Sequence, residues 1–111
     1  MKLLIAGSRT IENFDLSPYI PTNTILIISG GAKGVDSLAE KYADQNKISK
    51  LIVRPQYHRF GKAAPLKRNE EMISLADKVL VIWDGKSNGA KHMITHAKKA
   101  LKPITIITID K

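Results

Sequence analysis

Five short apolar runs, most of them continuous, constrain the fold of this chain most strongly. Segments with helical spacing separate these runs, which are Leu3–Ala6, Ile25–Ile28, Leu51–Val53, Val79–Trp83 and Ile104–Ile109. Continuous rather than alternating apolar runs are typical of strands covered on both faces, as in a parallel sheet. Strands that alternate with helices indicate right-handed crossover connections. We therefore predict an α/β fold, a single Rossmann-like three-layer domain over residues 1–111 with a five-stranded, mainly parallel sheet.

The intervening segments predict three helices and one uncertain region. Apolar residues from Val35 to Ala43 and from Ala90 to Leu101 follow the i, i+3, i+4, i+7 spacing of one buried helical face. Met72, Ile73 and Ala76 predict a helix before the fourth strand, with Asn69 as its N-cap. The segment from Ile11 to Ile20 contains a proline and allows only a short helix or a turn.

Composition excludes several classes of protein. The chain of 111 residues contains no cysteine, so disulfides and thiolate metal sites are excluded. No apolar run approaches the roughly 18 residues of a membrane span, and no signal-peptide pattern is present. We expect a cytoplasmic protein with no membrane partner.

Positive charge is concentrated in one segment. The formal net charge is +8, and no acidic residue lies between Asp44 and Glu70. That interval holds seven basic residues, namely Lys47, Lys50, Arg54, Arg59, Lys62, Lys67 and Arg68. Its second half contains two prolines and a glycine, which predicts a loop, or a loop with a short helix, over residues 54–69. Such a loop is either functional or a solvated basic face.

Three polar, glycine-bearing loops follow predicted strands. Residues 7–10 follow the first strand, the glycine turn at residues 29–36 (SGGAKGVD) follows the second, and residues 84–89 (DGKSNG) follow the fourth. A glycine-rich strand-to-helix turn directs helix N-terminal amides at a phosphate, or it is simply a tight turn. The carboxyl ends of parallel strands share one edge, where ligands of open α/β sheets bind. We therefore expect a ligand crevice at that edge.

Four ordered motifs carry a resemblance to a known family. They are GSR after the first strand, SGGAKGVDSLAEKYA after the second, FGKAAPLKRNEEMI, and WDGKSNGAKHMI. Together they resemble the YspA, or cpYpsA-related, family of the SLOG superfamily over residues 2–107. The resemblance implies a Rossmann-like domain that binds nucleotides or nucleotide-derived ligands, with relatives among cytokinin-activating phosphoribohydrolases and DNA-processing protein A.

The chain departs from this resemblance at three points. It lacks the family's glycine before Pro65, and it has Ala90 where many relatives have threonine. It also lacks the PGGxGTxxE motif of the phosphoribohydrolases, so their activity is not carried over.

The resemblance and the loop chemistry suggest a set of ligand-binding residues. They are Gly7, Ser8, Arg9, Gly30, Gly31, Lys33, Gly34, Asp36, Arg68, Asn69, Asp84, Gly85, Ser87, Asn88 and Gly89. Arg9 offers a bidentate fork to phosphate oxygens, or it lies in solvent beside a turn that ends the strand. Asp36 either caps its helix, which we favour, or bonds a sugar hydroxyl. Arg68 and Asn69 fold over the ligand, or they are a solvated charge and an N-cap.

Residues near the last of these loops have ordinary alternatives. Ser87, Asn88 and Gly89 supply a second anion site, or they only cap the following helix. Trp83 could stack on a base, but a tryptophan that ends an apolar strand is more often a core residue.

No catalytic residue stands out. Asp36, Glu40, Glu70 and Asp84 could serve N-glycosidic hydrolysis or transfer on a nucleotide, but each is equally explained as a cap or a surface charge. His92 and His96 share a helical face without a third ligand of matching spacing. We therefore expect no metal and no cofactor, and whether the chain is an enzyme stays open.

Two classes of function fit these observations. The first is binding of a nucleotide-derived ligand such as an ADP-ribose-like molecule, to sense or to process it. The alternative is a single-stranded nucleic-acid-binding protein that resembles DNA-processing protein A, in which residues 47–68 contact phosphates and Tyr57 or Phe60 stacks on bases. Self-association into a homo-oligomer stays open.

Overall fold

All five predicted strands are present, and they pair in parallel throughout. The computed structural model describes residues 1–109. Its strands are β1 (Lys2–Gly7), β2 (Leu26–Ser29), β3 (Ser49–Ile52), β4 (Lys78–Trp83) and β5 (Ile104–Thr108). Their order in the sheet is β3-β2-β1-β4-β5, and every pairing is parallel. The prediction of an α/β, Rossmann-like fold is confirmed, with a sheet that is entirely parallel.

Four helices connect the strands. They are α1 (Val35–Gln45), α2 (Tyr57–Phe60), α3 (Ala64–Leu75) and α4 (Asn88–Lys99), with 3₁₀ turns at Ser17–Tyr19 and Gly61–Ala63. The uncertain region before β2 therefore contains one short 3₁₀ turn and is otherwise irregular. Within residues 1–109, no helix combines the length and the apolar character that crossing a membrane requires.

Side chains that alternate along β1 divide the core into two layers. Leu3 and Ile5 are buried with α1 and the segment of residues 11–20 on one face of the sheet. Leu4 and Ala6 are buried with α3 and α4 on the other face. Because both faces of the central strands are covered, their sequences are continuously apolar rather than alternating.

The helix before β4 begins earlier than the sequence predicts. Helix α3 starts at Ala64, so Asn69 lies in the middle of the helix, is buried, and is not an N-cap. Pro65 occupies the first turn of α3, where a missing amide proton removes no helical hydrogen bond. The segment of residues 54–69, predicted as a loop or a loop with a short helix, is therefore largely helical, and Pro65 starts a helix rather than preventing one.

Helix α4 ends before Leu101, which the spacing placed on the buried face. Leu101 has φ 57° and is 89% exposed. Its amide donates to the Lys98 carbonyl, and the Lys102 amide donates to the Ala97 carbonyl. These two bonds form a Schellman motif, whose left-handed position usually holds glycine. The prediction for Leu101 is wrong because this turn directs its side chain outwards.

Leu101→Gly is expected to raise the free energy of unfolding by roughly 0.5–1 kcal/mol, because glycine adopts the left-handed conformation without steric cost. The lost side chain is 89% exposed, so little packing is removed. Urea denaturation of the wild type and the variant measures this change. A less stable variant would contradict the assignment of a strained, unpacked leucine at this position.

Candidate functional site

A cavity of about 250 Å³ opens at the carboxyl edge of the sheet between β1 and β4. From β1 the chain runs outwards through β2 to β3, then crosses to β4 on the other side of β1. The cavity therefore lies where the strand order reverses, the position at which open α/β sheets bind ligands. Seven of the predicted site residues line it, namely Gly7, Arg9, Asp36, Arg68, Asn69, Ser87 and Gly89.

The cavity has an apolar wall and a polar wall. Leu66, Met72, Ala90 and Met93, from α3 and α4, form the apolar wall. The charged groups are Arg9, from the loop after β1, Asp36, from the first turn of α1, and Arg68, from α3. This combination suits a ligand with a flat apolar part and polar or anionic substituents.

The glycine turn uses some of its amides internally. The Gly31 amide donates to Ser29 Oγ at 3.3 Å, and the Ala32 amide donates to Asp36 Oδ2 at 3.1 Å. Gly34 precedes α1 with φ 79°, and a Cβ at this position would lie 2.5 Å from the Ser8 carbonyl oxygen. The turn therefore lies in close contact with the loop after β1.

Asp36 is a buried carboxylate on the cavity wall. It lies in the first turn of α1 with 7% of its surface exposed. It closes the glycine turn through Ala32, so the expected capping bond to the helix's own amides is not formed. Burial raises its pKa to about 6, although the Ala32 amide and the nearby Arg68 oppose this shift. Near neutral pH such a group exchanges protons readily.

The raised pKa of Asp36 predicts a specific pH dependence of stability. Between about pH 6 and its ordinary pKa of 3.8, the folded chain holds a proton on Asp36 that the unfolded chain has released. The contribution of Asp36 to stability is therefore largest at low pH and is lost as the pH rises through 6. We expect the stability of Asp36→Asn relative to the wild type to increase by up to about 3 kcal/mol from pH 4 to pH 7.5.

Urea denaturation of both proteins across this pH range measures the effect. Other carboxylates titrate in both proteins and cancel in the difference. Parallel stability curves for the two proteins would contradict the raised pKa.

Arg68 and Asn69 form a hydrogen-bonded chain between the glycine turn and α4. Arg68 Nη1 donates to the Gly30 carbonyl at 2.7 Å, and Arg68 Nε donates to Asn69 Oδ1 at 3.1 Å. The Asn69 amide nitrogen lies 3.2 Å from His92 Nδ1. Since Asn69 Oδ1 is the acceptor from Arg68, the Asn69 nitrogen donates to an unprotonated His92 Nδ1. Desolvation and the neighbouring His96 lower the pKa of His92, which agrees with a neutral ring.

Asp84 and Ser8 stabilise the loops behind the cavity rather than line it. Asp84 Oδ1 accepts the amides of Lys86 and Ser87, and Asp84 Oδ2 accepts the Thr10 hydroxyl. These bonds hold the pKa of the carboxyl well below its usual range. Ser8 is buried, and its Oγ accepts the Asp84 amide. The two residues therefore join the loops after β1 and β4.

Other predicted residues also lie outside the cavity lining. Lys33, Gly34, Gly85 and Asn88 are not among the residues that line it. Trp83 is half-buried against the core on the α3 and α4 side, and its Nε1 donates to the Ser87 carbonyl at 3.0 Å. This is the core position that we favoured over base stacking. Ser87 is the N-cap residue of α4 by position, but its side chain contacts the Ser8 hydroxyl instead of a helix amide.

Sequence reasoning missed the apolar wall of the cavity. Leu66, Met72 and Met93 have the spacing of ordinary core residues, and only the meeting of α3 with α4 at the sheet edge makes them cavity residues. Thr10, in the loop after β1, is not among the predicted site residues. It also lines the cavity.

The structure separates the four candidate carboxylates. Asp36 alone among them lines the cavity. Glu40 lies 3.5 Å from Ser29 Oγ, and Glu70 lies on the surface near Lys67 and His96. Within the described part of the chain, no group of three or more His, Asp or Glu side chains is placed to hold a metal ion. Any proton transfer at this cavity therefore falls to Asp36 among these acids.

Comparison with known proteins shows similarity to a phage protein. The chain is similar to the Gene 61 protein of Mycobacterium phage D29, with 31% identity over 120 aligned positions that cover 93% of each protein. No protein-family model matches the chain, and no solved structure matches it.

Proposed function

This chain belongs to the family of the Gene 61 protein of Mycobacterium phage D29, and we propose that it binds a nucleotide-derived ligand, such as an ADP-ribose-like molecule. The observation that carries the proposal is the cavity between β1 and β4, where Arg9, Asp36 and Arg68 face an apolar wall. An ionised Asp36 accepts hydrogen bonds from ribose hydroxyls, while the two guanidinium groups bind phosphate oxygens. The resemblance to the YspA-related family of the SLOG superfamily supports the same class of ligand.

Binding is better supported than any reaction. Of the acids considered, Asp36 is the one positioned beside the ligand cavity, and its raised pKa suits a general base or acid. If the chain processes its ligand, hydrolysis or transfer at an N-glycosidic bond would use Asp36. Sensing without chemistry requires only the binding contacts.

Mass spectrometry of the unfolded, purified protein tests this proposal. We expect a nucleotide-derived molecule to be released, or, if the protein purifies empty, added ADP-ribose to raise the melting temperature. A ligand that binds only the folded state at 100 times its Kd contributes about 2.7 kcal/mol. No released nucleotide derivative together with no thermal shift from ADP-ribose, ADP or AMP would contradict the proposal.

A second candidate, single-stranded nucleic-acid binding, is favoured by a groove outside the cavity. Arg54, Arg59, Phe60 and Lys67 line this groove, and the Arg59 guanidinium carbon lies 4.9 Å from the centre of the Phe60 ring. Polynucleotide binding here would weaken steeply with salt, whereas a nucleotide held in the cavity would lose much less affinity. Titration of an oligonucleotide at two salt concentrations distinguishes the two functions.

A further inference from the structure

A second cleft adjoins the cavity on the far side of Arg68. Its volume is about 290 Å³, and the glycine turn forms one wall of it. Arg54, Pro55 and Tyr57, which follow β3, form the other wall. Arg9, Ala32 and Arg68 border both spaces, so the cleft and the cavity are two lobes of one depression. None of the three residues after β3 belongs to the predicted site.

Three guanidinium groups line this cleft, and none of them forms a salt bridge within residues 1–109. They belong to Arg9, Arg54 and Arg68, none of which lies within 4.0 Å of a carboxylate oxygen of the described residues. The nearest carboxylate, Asp36, interacts with Arg68 and Arg9 from the cavity side and offsets at most one of the three positive charges, so the remaining charge favours an anion. The cleft therefore has the charge that an anionic ligand requires.

The glycine turn holds two of these side chains in position. Arg54 Nη1 donates to the Gly31 carbonyl at 3.3 Å, and Arg68 Nη1 donates to the Gly30 carbonyl at 2.7 Å. A guanidinium group has five N–H donors, so these bonds leave donors for a ligand while they fix the orientation of the fork. A Cβ on Gly30 would lie 2.5 Å from Arg68 Nη1, and one on Gly31 would lie 2.8 Å from Arg54 Nη1. Both glycines are thus needed for the close approach of the arginines.

The two lobes together are large enough to hold one ligand. Ligand pockets usually enclose roughly 300–1,000 Å³, and each lobe alone is smaller than this. The two lobes together reach that range. Arg9 and Arg68 lie at the boundary between the lobes and can bind one anionic group together. Arg54 lines the cleft but not the cavity, so an anionic group bound to it would be a second one. Tyr57 also lines the cleft. Its side chain is 58% exposed and is therefore not part of the hydrophobic core.

We propose that the cleft formed by Arg9, Arg54, Arg68 and Tyr57 binds a second phosphoryl group, so that the ligand of this chain carries a diphosphate rather than a single phosphate. This inference rests on the proposed nucleotide-binding function and specifies its ligand class. The first phosphoryl group lies between Arg9 and Arg68, and the second lies against Arg54. The nucleoside part then occupies the cavity beside Asp36 and the apolar wall.

Isothermal titration with inorganic pyrophosphate and orthophosphate at equal ionic strength tests the cleft without assuming a base. We expect pyrophosphate to bind at least about tenfold more tightly than orthophosphate. A tenfold difference in affinity corresponds to about 1.4 kcal/mol, which one additional charge-assisted hydrogen bond can supply. In Arg54→Ala the two affinities should come within about twofold of each other. Lys62→Ala removes the same charge from the same segment outside both lobes, and it should keep the wild-type preference.

Equal binding of the two anions by the wild type, or an equal loss of preference in both variants, would overturn the proposal. Titrations with AMP and ADP distinguish a failure of the cleft proposal from a failure of the proposed nucleotide-binding function. If ADP and AMP bind equally and pyrophosphate has no advantage, nucleotide binding stands and the cleft proposal fails. If pyrophosphate binding depends on Arg54 but no nucleotide binds more tightly than pyrophosphate, the cleft stands and the nucleotide function fails.

Discussion

Gly34→Ala is expected to lower the free energy of unfolding by about 3 kcal/mol or more, because it combines backbone strain with a steric conflict. Gly34 has φ 79° and ψ −130°, a conformation that side chains rarely adopt. The new Cβ would also lie 2.5 Å from the Ser8 carbonyl oxygen and 2.6 Å from Arg9 Cα, and backbone atoms cannot rotate away. Thermal and urea denaturation measure this loss.

Two other glycines provide matched controls. Gly61 has nearly the same backbone conformation, φ 55° and ψ −131°, but no atom lies within 4 Å of its Cβ position. Gly61→Ala therefore measures the strain alone, about 1–2 kcal/mol. Gly89 is helical and equally uncrowded, so Gly89→Ala should stabilise the chain by roughly 0.5–1 kcal/mol. Equal losses at Gly34 and Gly61 would contradict the close contact between the glycine turn and the loop after β1.

Arg68→Ala is expected to weaken ADP-ribose binding by about 30-fold to 100-fold, which corresponds to about 2–3 kcal/mol for lost charge-assisted hydrogen bonds. Arg68 borders both lobes of the site, and its guanidinium group holds the Gly30 carbonyl. Its removal also takes away a positive charge that lowers the pKa of Asp36, so the carboxyl should protonate at a higher pH. Calorimetry gives the affinity, and circular dichroism establishes that the variant is folded.

Lys67→Ala is the control for Arg68→Ala. Lys67 is the preceding residue on α3, is exposed, and pairs with Glu70 at 3.7 Å. Both substitutions remove one positive charge, so a long-range electrostatic effect would weaken binding similarly in the two variants. A folded Arg68→Ala protein that binds ADP-ribose within about twofold of the wild type would refute the role of Arg68.

The sequence predicted the sheet well because its signals are local. The apolar runs of β1 and β4 are continuous since α1 covers one face of the sheet and α3 and α4 cover the other. The start of α3 was mispredicted because proline fits a first helical turn as well as a loop. The sequence does not show where α4 ends, because leucine occupies the left-handed position at its C-terminus. Glycine usually occupies this position and marks the end of a helix in a sequence.

The candidate site was predicted by its loops but not by its contacts. Topology alone brings Gly7, Arg9 and Gly89 to one edge, so loop chemistry at the strand ends identified them. The hydrogen bond from the Ala32 amide to the Asp36 carboxylate depends on atomic geometry, which the spacing of residues in the sequence does not encode. Arg54 stood out only as one basic residue among seven, and its contact with the Gly31 carbonyl requires β3 to lie beside β2.

Nuclear magnetic resonance with ¹⁵N-labelled protein tests most directly whether the cavity between β1 and β4 binds a nucleotide-derived ligand. On titration with ADP-ribose, we expect the largest amide shifts in residues 7–10, 30–36, 65–69 and 87–90, with a further group at residues 54–57 if the adjoining cleft is occupied. Shifts confined to the surface around residues 58–62, or no shifts with ADP-ribose, ADP or AMP at millimolar concentration, would contradict a nucleotide site in this cavity.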